Sequence, residues 1–499
     1  MAAVHNPVIR GFNPDPSICK VGPDYYLVTS TFEFFPGVPI YHSRDLINWE
    51  LIGHCLTRAS QLHLEGCRAS GGIYAPTLRY HDGLFYMTTT NVTDQGHLVV
   101  HAASILGPWS DPVWVDQNGI DPSLLFTEGK CYFTSSSTWE GRQCILQCEI
   151  DPMTGEKLAP SRPVSYGTGG KYPEAPHLYK INDMYYLMLA EGGTEYGHMV
   201  TMLRSRDPYG PFEECPHNPI VSHRGIQAVA HPFQCIGHAD LTQDDHGQWW
   251  IVTLGIRPLP GVLLHNLGRE TLLGKVSWDA NGWPKVNGCG LMTETVECDG
   301  VIAKPKPLFY DNFSGALNAE YCFIRNPQIE HYRYGHGSLM LTGGKPLDCA
   351  DSSPTFMGIR QKEWRAAASV TVEAAECGMA GITAFYGSEH HYDLALTAKG
   401  TDRKIVIRKR LYDLCEESAV EVGDGPVQLL IEADEKEYTL LAAAQGKAPV
   451  LLGQGAVAGL CTECTRTMTF TGVFLGLFCE AGQAVFRDFT VNFHGNVEG

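Results

Sequence analysis

The sequence has little charge, and no run of Lys and Arg is longer than three residues. Charged residues make up 18% of the 499, and 55 acidic against 37 basic side chains give a net charge of −18. Proteins that bind a phosphate backbone present clustered Lys and Arg, so we expect no nucleic-acid partner. A neutral substrate agrees better with this balance.

Long apolar runs are also missing. Stretches such as residues 473–479 fall far short of the ~20 residues that cross a bilayer, which predicts no membrane partner. The first residues show no charged segment followed by an apolar core, so we expect no signal peptide. The 17 cysteines are odd in number and scattered, which favours reduced thiols. Together these features predict a cytoplasmic protein.

Several catalytic motifs are absent, among them the HExxH zinc motif, the Walker loop and the GxSxG nucleophile elbow. The sequence is instead rich in turn and strand residues, with 53 Gly, 30 Pro, 22 Tyr and 9 Trp. This composition favours an all-β fold.

A turn followed by an aromatic-rich strand recurs five times, at residues 22–30, 81–89, 128–135, 182–189 and 245–253. A second element precedes each turn, as Asn13-Pro-Asp-Pro-Ser-Ile18, Tyr74-Ala-Pro-Thr-Leu78, Ile120-Asp-Pro-Ser-Leu124, Pro173-Glu-Ala-Pro-His-Leu178 and Gly237-His-Ala-Asp-Leu241. Repeats of roughly 50–60 residues with several short strands predict a five-bladed β-propeller. The alternative is a β-sandwich with coincidental turns.

We predict that the propeller domain spans residues 1–303. The stiff stretch Lys304-Pro-Lys-Pro307 is typical of a linker between domains. Beyond it the repeat disappears, but residues 338–342, 367–373, 404–408 and 427–432 are typical strands. Residues 304–499 are therefore predicted to form a β-sandwich of the jelly-roll type.

The second element is predicted to be the innermost strand of each blade, where side chains from all blades converge on one channel. Equivalent positions hold Asp15, Ala75, Asp121, Glu174 and His238. Singly, an Asp before Pro often only caps a turn, and a histidine is often an ordinary core residue. Three converging carboxylates are costly unless they are used, so their joint occurrence predicts a functional site.

Paired carboxyl groups are typical of glycoside hydrolysis, in which one acts as acid and the other as base or nucleophile. A third carboxylate can raise the pKa of the acid. Aromatic side chains near the channel mouth, namely Phe32, Phe34, Tyr74 and Trp139, are expected to stack on sugar rings.

Seven motifs together carry a resemblance to a known family. They are Gly11-Phe-Asn-Pro-Asp-Pro-Ser-Ile18, Ser30-Thr-Phe-Glu-Phe-Phe-Pro-Gly37, Ser70-Gly-Gly-Ile-Tyr-Ala-Pro76, Gly119-Ile-Asp-Pro-Ser-Leu124, Tyr172-Pro-Glu-Ala-Pro-His-Leu-Tyr179, Cys235-Ile-Gly-His-Ala239 and Leu267-Gly-Arg-Glu-Thr271. Over essentially its whole length the sequence resembles family 43 glycoside hydrolases of the β-xylosidase/α-L-arabinofuranosidase type. The resemblance implies a five-bladed propeller, here followed by a C-terminal jelly-roll sandwich.

The resemblance also implies an inverting mechanism with assigned roles. Asp15 matches the general base, Glu174 the general acid and Asp121 the residue that modulates the acid. Arg269 matches an arginine that binds the sugar at the cleaved end, and Phe32 matches an aromatic residue of the same pocket.

His238 matches a histidine on the channel axis that, in several relatives, contacts a central cation through water. No cofactor is implied for the chemistry, and the sequence leaves open whether a largely water-coordinated calcium ion lies beside His238. Tyr74 stands where such xylosidases usually have Trp, which leaves the subsite preference open.

The segment 467–476 places Phe470 and Phe474 around a glycine-containing turn. Similar enzymes use such a loop to narrow the pocket mouth, so we expect both rings to line the pocket. The alternative is that both fill the sandwich core.

The leading expectation is an exo-acting enzyme that releases terminal β-D-xylose from short xylo-oligosaccharides. An α-L-arabinofuranosidase acting on arabinose-substituted oligosaccharides, or an enzyme with both activities, is the alternative within this class. A non-catalytic sugar-binding propeller and a retaining fructan-type hydrolase are the alternatives outside it. The sequence leaves the assembly state open, with a homo-oligomer among the options.

Overall fold

The computed structural model describes residues 2–226, 231–298, 300–304, 308–374 and 376–494, with the side chains of residues 2 and 3 left aside. The described chain is almost entirely β-structure, with 3-10 turns at Ile329–His331, Val457–Leu460 and Thr462–Cys464. Within these ranges no helix has the length and apolar character to cross a bilayer.

The first part of the chain contributes 24 strands. They are β1 (Ala2–His5), β2 (Ser17–Val21), β3 (Asp24–Val28), β4 (Phe34–Phe35), β5 (Gly37–Ser43), β6 (Glu50–Leu56), β7 (Thr77–His81), β8 (Leu84–Asn91), β9 (Gly96–Ala102), β10 (Val113–Trp114), β11 (Ile120–Thr127), β12 (Lys130–Trp139), β13 (Arg142–Glu149), β14 (Arg162–Ser165), β15 (Glu174–Ile181), β16 (Met184–Glu191), β17 (Met199–Ser205), β18 (Glu213–Glu214), β19 (Val221–Ser222), β20 (Gln234–Gln243), β21 (Trp249–Ile256), β22 (Glu270–Trp278), β23 (Pro284–Val286) and β24 (Thr295–Cys298).

These strands form five antiparallel blades, ordered β2-β3-β5-β6, β7-β8-β9-β10, β11-β12-β13-β14, β15-β16-β17-β18 with β19, and β20-β21-β22-β23. The first strands of neighbouring blades contact one another around the centre. The turn before each second strand and the nearly continuous burial of most of these strands follow from the repeated pattern of polar turn and aromatic run.

The N-terminal segment closes the ring. Strand β1 pairs with β24, and Ile9 bridges Thr271 of the fifth blade. The Asn6 amide donates to Leu273 O at 2.9 Å, and Leu273 N–H donates back to Asn6 Oδ1 at 2.9 Å. These bonds tie the start of the chain to the last blade, next to the first.

The second part of the chain contributes 14 strands. They are β25 (Phe309–Asp311), β26 (Phe323–Ile324), β27 (Tyr332–Gly335), β28 (Ser338–Thr342), β29 (Thr355–Arg360), β30 (Ala366–Glu373), β31 (Glu376–Gly387), β32 (His390–Lys399), β33 (Asp402–Leu411), β34 (Leu414–Glu421), β35 (Val427–Ala433), β36 (Glu437–Ala444), β37 (Val450–Ala456) and β38 (Phe474–Phe493).

Strand β38 belongs to both layers of the resulting sandwich. Its first half pairs with β29 and β31, whereas its second half pairs with β25, β28 and β30. One layer continues β31-β32-β33-β34 and the other β30-β35-β36-β37. The inward side chains of the two layers form the largest apolar core of the molecule.

The sandwich packs directly against the propeller. The two-residue strand β26 pairs with β4, with Phe323 opposite Phe35. An apolar cluster joins Phe12, Phe32 and Phe34 of the propeller to Phe356 and Phe474 of the sandwich, among others. The C-terminal domain is therefore held next to the mouth of the channel.

The predicted all-β fold, a five-bladed propeller followed by a β-sandwich, is confirmed. The strands predicted near 338–342, 367–373, 404–408 and 427–432 correspond to β28, β30, β33 and β35. The division at 303/304 stays a prediction, because residues 305–307 of the predicted linker lie outside the described part of the chain.

Candidate active site

The inner strands begin with an irregular backbone that aims side chains into the channel. Asp15, Asp121 and His238 have φ of 56°, 55° and 40°, and in the fourth blade Ala175, next to Glu174, has φ of 50°. The strand register shifts between Ile120 and Ser123, and around Glu174 and His238. Bulges of this kind redirect side chains, and here they bring three carboxyl groups to one end of the channel.

Asp15 is buried and surrounded by donors. Ser30 Oγ donates to its Oδ2 at 2.5 Å, Arg269 Nη1 lies 3.3 Å from Oδ1, and His238 Nδ1 lies 3.5 Å from the same oxygen. Burial acts to raise the pKa of Asp15, but the charge of Arg269 and the contacts with His238 and Ser30 outweigh it and lower the pKa. Asp15 is therefore held as a carboxylate.

Glu174 has the opposite environment. Burial raises the pKa of Glu174 well above its usual value, and the neighbouring Asp121 and Asp15 carboxylates raise it further, against the opposing charge of Arg269. Its side chain is 19% exposed, so it reaches the open part of the channel. These surroundings favour the protonated form of Glu174.

Asp121 faces both of these groups. Its Oδ2 accepts the N–H of Ala175 at 3.0 Å, so it is bonded to the backbone directly after Glu174. Burial raises the pKa of Asp121, as does Asp15, while His238 opposes the change. The arrangement links the charge of Asp121 to the position and protonation of Glu174.

Arg269 connects the base to the pocket wall. Its Nη1 donates to Thr194 Oγ1 at 2.8 Å as well as to Asp15, and its guanidinium lies 5.2 Å from the ring centre of Phe470. The other end of the motif is structural, because the Glu270 carboxylate accepts two bonds from Arg257 at 2.6 and 2.8 Å. The motif Leu267-Gly-Arg-Glu-Thr271 thus places Arg269 in the site, and the next residue, Glu270, anchors it through Arg257.

Three aromatic rings form one wall. Phe32 and Tyr74 lie edge to face at 5.2 Å, and the Phe470 ring is 5.4 Å from Phe32 and 6.1 Å from Tyr74. Phe470 comes from the sandwich domain, and its N–H donates to Ser70 Oγ of the propeller at 2.9 Å. The loop is held so closely that a Cβ on Gly472 would lie 2.5 Å from Leu267 O. The predicted proximity of Phe32, Tyr74 and Phe470 is observed.

Phe474 is elsewhere, and its predicted place in the pocket is wrong. It is the first residue of β38, is completely buried, and stacks on Phe34 at 4.1 Å. Phe34, also expected near the mouth, is equally buried there. Both rings fill the interface between the domains, because the strand has already begun at Phe474 whereas Phe470 is still in the loop. Trp139 is the last residue of β12 and lies just beyond Ser136, which pairs with Ile120. It therefore lies at the same end of the channel as the carboxyl groups. Its side chain is 38% exposed and takes no part in the ring contacts described for the wall.

Several site residues were not predicted from the sequence. His198 is buried beside Glu174, with its Nε2 3.9 Å from Glu174 Oε1. Thr194 and Ser30 hold Arg269 and Asp15. A histidine and a threonine in an irregular segment carry no periodic signal that could have identified them.

A second polar cluster fills the channel beneath the carboxyl groups. Asp240 binds Arg79 at 2.8 Å, accepts hydrogen bonds from Ser17 Oγ at 2.7 Å and Tyr179 at 2.6 Å, and lies near His177. These side chains come from the inner strands of four blades, beyond the bulges that carry Glu174 and His238. Because the bulges interrupt the two-residue period of the strands, no regular spacing in the sequence predicts this cluster.

The side chains around His238 determine whether a metal ion could bind there. Calcium takes six to eight oxygen ligands. Within the described ranges no three His, Cys, Asp or Glu side chains are grouped so that they could hold an ion, and His238 faces Asp15, which is already bonded to Arg269 and Ser30. The described residues do not fit a calcium ion that is ligated by the protein itself.

Comparisons with known proteins agree with this geometry. The family model for glycosyl hydrolases family 43 matches residues 4–284, and the model for the β-xylosidase C-terminal concanavalin A-like domain matches residues 310–492. The chain is 44% identical over 495 residues to a non-reducing end α-L-arabinofuranosidase of Bacteroides ovatus, which covers 96% of this chain and 92% of the relative.

Two further relatives extend the comparison. A xylosidase/arabinosidase of Butyrivibrio fibrisolvens is 39% identical over 471 residues, covering 87% of each chain. The crystal structure of a xylan β-1,4-xylosidase from Bacillus halodurans superposes with a TM-score of 0.92 at 31% identity, covering 98% of this chain and 100% of that one. The chain therefore belongs to family 43 of the glycosyl hydrolases and is a glycosidase.

Proposed function

We propose that this enzyme removes terminal pentose residues from the non-reducing ends of short oligosaccharides with inversion of configuration. The observation that carries the proposal is the opposite tuning of two carboxyl groups in one pocket, with Asp15 held ionised and Glu174 held protonated. Asp15 acts as the general base that activates water, and Glu174 as the general acid that protonates the leaving oxygen. This chemistry needs no cofactor.

The remaining residues bind and confine the sugar. Arg269 is positioned to bind the sugar at the cleaved end, and Phe32, Tyr74 and Phe470 offer ring faces and edges to it. Because the Phe470 loop is bonded to Ser70, the sandwich narrows the pocket from one side. A pocket narrowed in this way favours chain ends over the middle of a polymer.

Both pentoses are candidate substrates, and the identity to named relatives supports one order of preference. The 44% identity to an α-L-arabinofuranosidase over nearly the full chain supports α-L-arabinofuranosyl groups as the better substrate, with β-D-xylosyl groups as the second. Arabinose-substituted and xylo-oligosaccharides are the corresponding substrates. Turnover of the two nitrophenyl glycosides tests this order: we expect the higher kcat/KM on the arabinofuranoside, and a preference for the xyloside would reverse it.

Replacement of the two carboxyl groups tests the assigned roles. Glu174→Gln is expected to slow hydrolysis of a disaccharide by roughly 10²–10⁴-fold while largely sparing an activated aryl glycoside, which needs no acid. Asp15→Asn should abolish activity on both, since no other group activates the water. Equal losses on both substrates in the Glu174 variant would contradict its role as the acid.

A further inference from the structure

His198 has a hydrogen-bonding state that the backbone fixes. Its ring is 1% exposed, and Nδ1 lies 3.0 Å from the carbonyl oxygen of Cys235. A carbonyl only accepts hydrogen bonds, so Nδ1 carries the ring proton and Nε2 is left as a bare acceptor. Burial lowers the pKa of His198 to about 3, which keeps the ring neutral at ordinary pH.

The bare nitrogen faces the acid. Nε2 is buried without a hydrogen-bond partner in the described part of the chain, and the nearest carboxyl oxygen is Glu174 Oε1 at 3.9 Å. An unpaired buried nitrogen is costly, and a small rotation of the Glu174 side chain would let a carboxyl O–H reach it. The ionised carboxylate, in contrast, would face a lone pair.

One short segment sets this arrangement. Cys235 provides the carbonyl that fixes the tautomer, and a Cβ on Gly237 would lie 2.2 Å from the His198 ring, so only glycine leaves room for it. The next residue, His238, contacts Asp15. The segment 235–238 therefore supports the acid through His198 and the base through His238.

The other charged groups that face Glu174 are Asp121 and Asp15, which disfavour its ionised form, and Arg269, which favours it. None of these accepts the proton of a Glu174 carboxyl group in the hydrogen bonds of the described structure. The imidazole of His198, with Nε2 3.9 Å from Glu174 Oε1, is a neutral acceptor beside it.

We propose that His198 is a positioning residue that accepts a hydrogen bond from the protonated Glu174 carboxyl and so keeps the acid protonated in the free enzyme. The inference rests on the proposed function of Glu174. When the glycosidic oxygen enters, rotation of the carboxyl group transfers the same O–H from Nε2 to that oxygen. No covalent bond is broken until the O–H proton moves to the oxygen of the leaving group.

The test is the pH dependence of kcat/KM, whose basic limb reports the acid of the free enzyme. His198→Phe keeps the ring shape but removes the acceptor, and we expect the basic limb to move down by about half to one pH unit. His198→Gln can place an amide oxygen near the position of Nε2 and should restore most of the shift. An unchanged or raised basic limb in His198→Phe would overturn the proposal.

A matched control is available in the same half of the propeller. His223 is also buried, and its Nδ1 lies 2.8 Å from Phe233 O, but its Nε2 accepts the N–H of Met292 at 2.9 Å. His223→Phe should lower the melting temperature and leave the basic limb in place. If it moves the limb as much as His198→Phe does, the effect is general destabilisation and the proposal fails.

Nitrogen-15 NMR of the histidine-labelled wild-type enzyme gives a second readout that needs no stable variant at position 198. A neutral Nδ1–H ring whose Nε2 signal changes on Glu174→Gln is expected. An imidazolium or an Nε2–H tautomer at that ring overturns the proposal. If Glu174→Gln shows the leaving-group effect but His198→Phe does not move the basic limb, only this inference fails. If Glu174→Gln shows no leaving-group effect, the proposed function itself fails.

Discussion

At the residue scale, the carboxyl groups of Asp15 and Glu174 lie in one channel, yet their pKa values are shifted in opposite directions. Asp15 is bonded to Ser30 and Arg269, whereas Glu174 faces two carboxylates. Donors stabilise the ionised form and like charges disfavour it, so the difference follows from the neighbours rather than from burial, which both share. Two side chains with the same functional group therefore suit the opposite roles of base and acid because their neighbours differ.

A bell-shaped pH profile of kcat/KM follows. The base works only when ionised, so activity is lost as the pH falls through the lowered pKa of Asp15. The acid works only when protonated, so activity is lost as the pH rises through the raised pKa of Glu174. In Glu174→Gln, assayed on an activated aryl glycoside, the basic limb should disappear and the acidic limb should remain. A basic limb that persists there would assign it to another group.

The sequence predicts that Asp15, Asp121 and Glu174 face one channel because the propeller repeats the same element in every blade. It gives no such signal for His198, which lies before β17 and whose Nδ1 is bonded to a carbonyl 37 residues later in the chain. Contacts of this kind depend on how neighbouring blades pack, and no local pattern encodes them. The same reason explains why the Arg79–Asp240 pair was missed.

At the element scale, the segment between β3 and β4 carries a buried carboxyl group that is bonded to the loop before β7. Glu33 is buried, its Oε2 accepts the N–H of Ser70 at 3.0 Å, and Ser70 in turn holds the Phe470 loop. Burial raises the pKa of Glu33 to about 7, against the opposing backbone hydrogen bonds and Arg325.

This shift predicts a pH-dependent stability. Between about pH 4.5 and 7 the unfolded chain loses the Glu33 proton while the folded chain retains it. The stability that Glu33 contributes is therefore fully present below pH 4.5 and is lost as the pH rises through 7. The loss amounts to about 3 kcal/mol. Denaturant unfolding at pH 5 and pH 8 measures it; in Glu33→Gln the part due to this group should vanish. An identical pH dependence in the variant would exclude Glu33 as its source.

Phe470, in the loop before β38, and Phe474, the first residue of β38, form a matched pair. Phe470→Ala should raise KM about tenfold with little change in melting temperature, because its ring lies against Phe32 and Tyr74 in the pocket wall. Phe474→Ala should cost about 3–5 kcal/mol of stability with KM nearly unchanged, because its ring is completely buried. Steady-state kinetics and denaturant unfolding of both variants check this. The reverse pattern would contradict the assigned positions.

Strand prediction succeeded where the hydrophobic pattern is strong. Residues 338–342 coincide with β28, and β30 begins one residue before the predicted 367. The two-residue strands β4 and β26 could not be predicted, because their pairing joins the two domains and depends on tertiary packing. The same docking explains why Phe34 and Phe474, which read as pocket residues, are interface residues.

At the scale of the whole molecule, an ion-pair cluster joins the two domains beside the apolar interface. Arg257 of the propeller binds Glu270 of the same domain and, at 2.9 Å, Glu363 of the sandwich, and Arg10 also binds Glu363. The Glu270 carboxylate is fully buried and directly follows Arg269. Domain docking and the position of Arg269 are thus coupled through one cluster.

Removal of one charge from this cluster should destabilise the molecule. Glu363→Gln leaves Arg257 and Arg10 short of a carboxylate in a buried place, with an expected cost of about 3–5 kcal/mol. Glu435 pairs with Arg365 at 3.0 Å on the surface, and Glu435→Gln as control should cost less than about 1 kcal/mol. Denaturant unfolding compares the two. Equal costs would show that the domains do not depend on this cluster.

The configuration of the first product tests the proposed roles of Asp15 and Glu174 most directly. Asp15 as base and Glu174 as acid deliver water to the face opposite the leaving group in one displacement. Proton NMR during hydrolysis of a β-xyloside should therefore show α-xylose first, with the β-anomer appearing only by mutarotation. β-Xylose as the first product would mean a covalent intermediate and would contradict the assignment of Asp15 as a base.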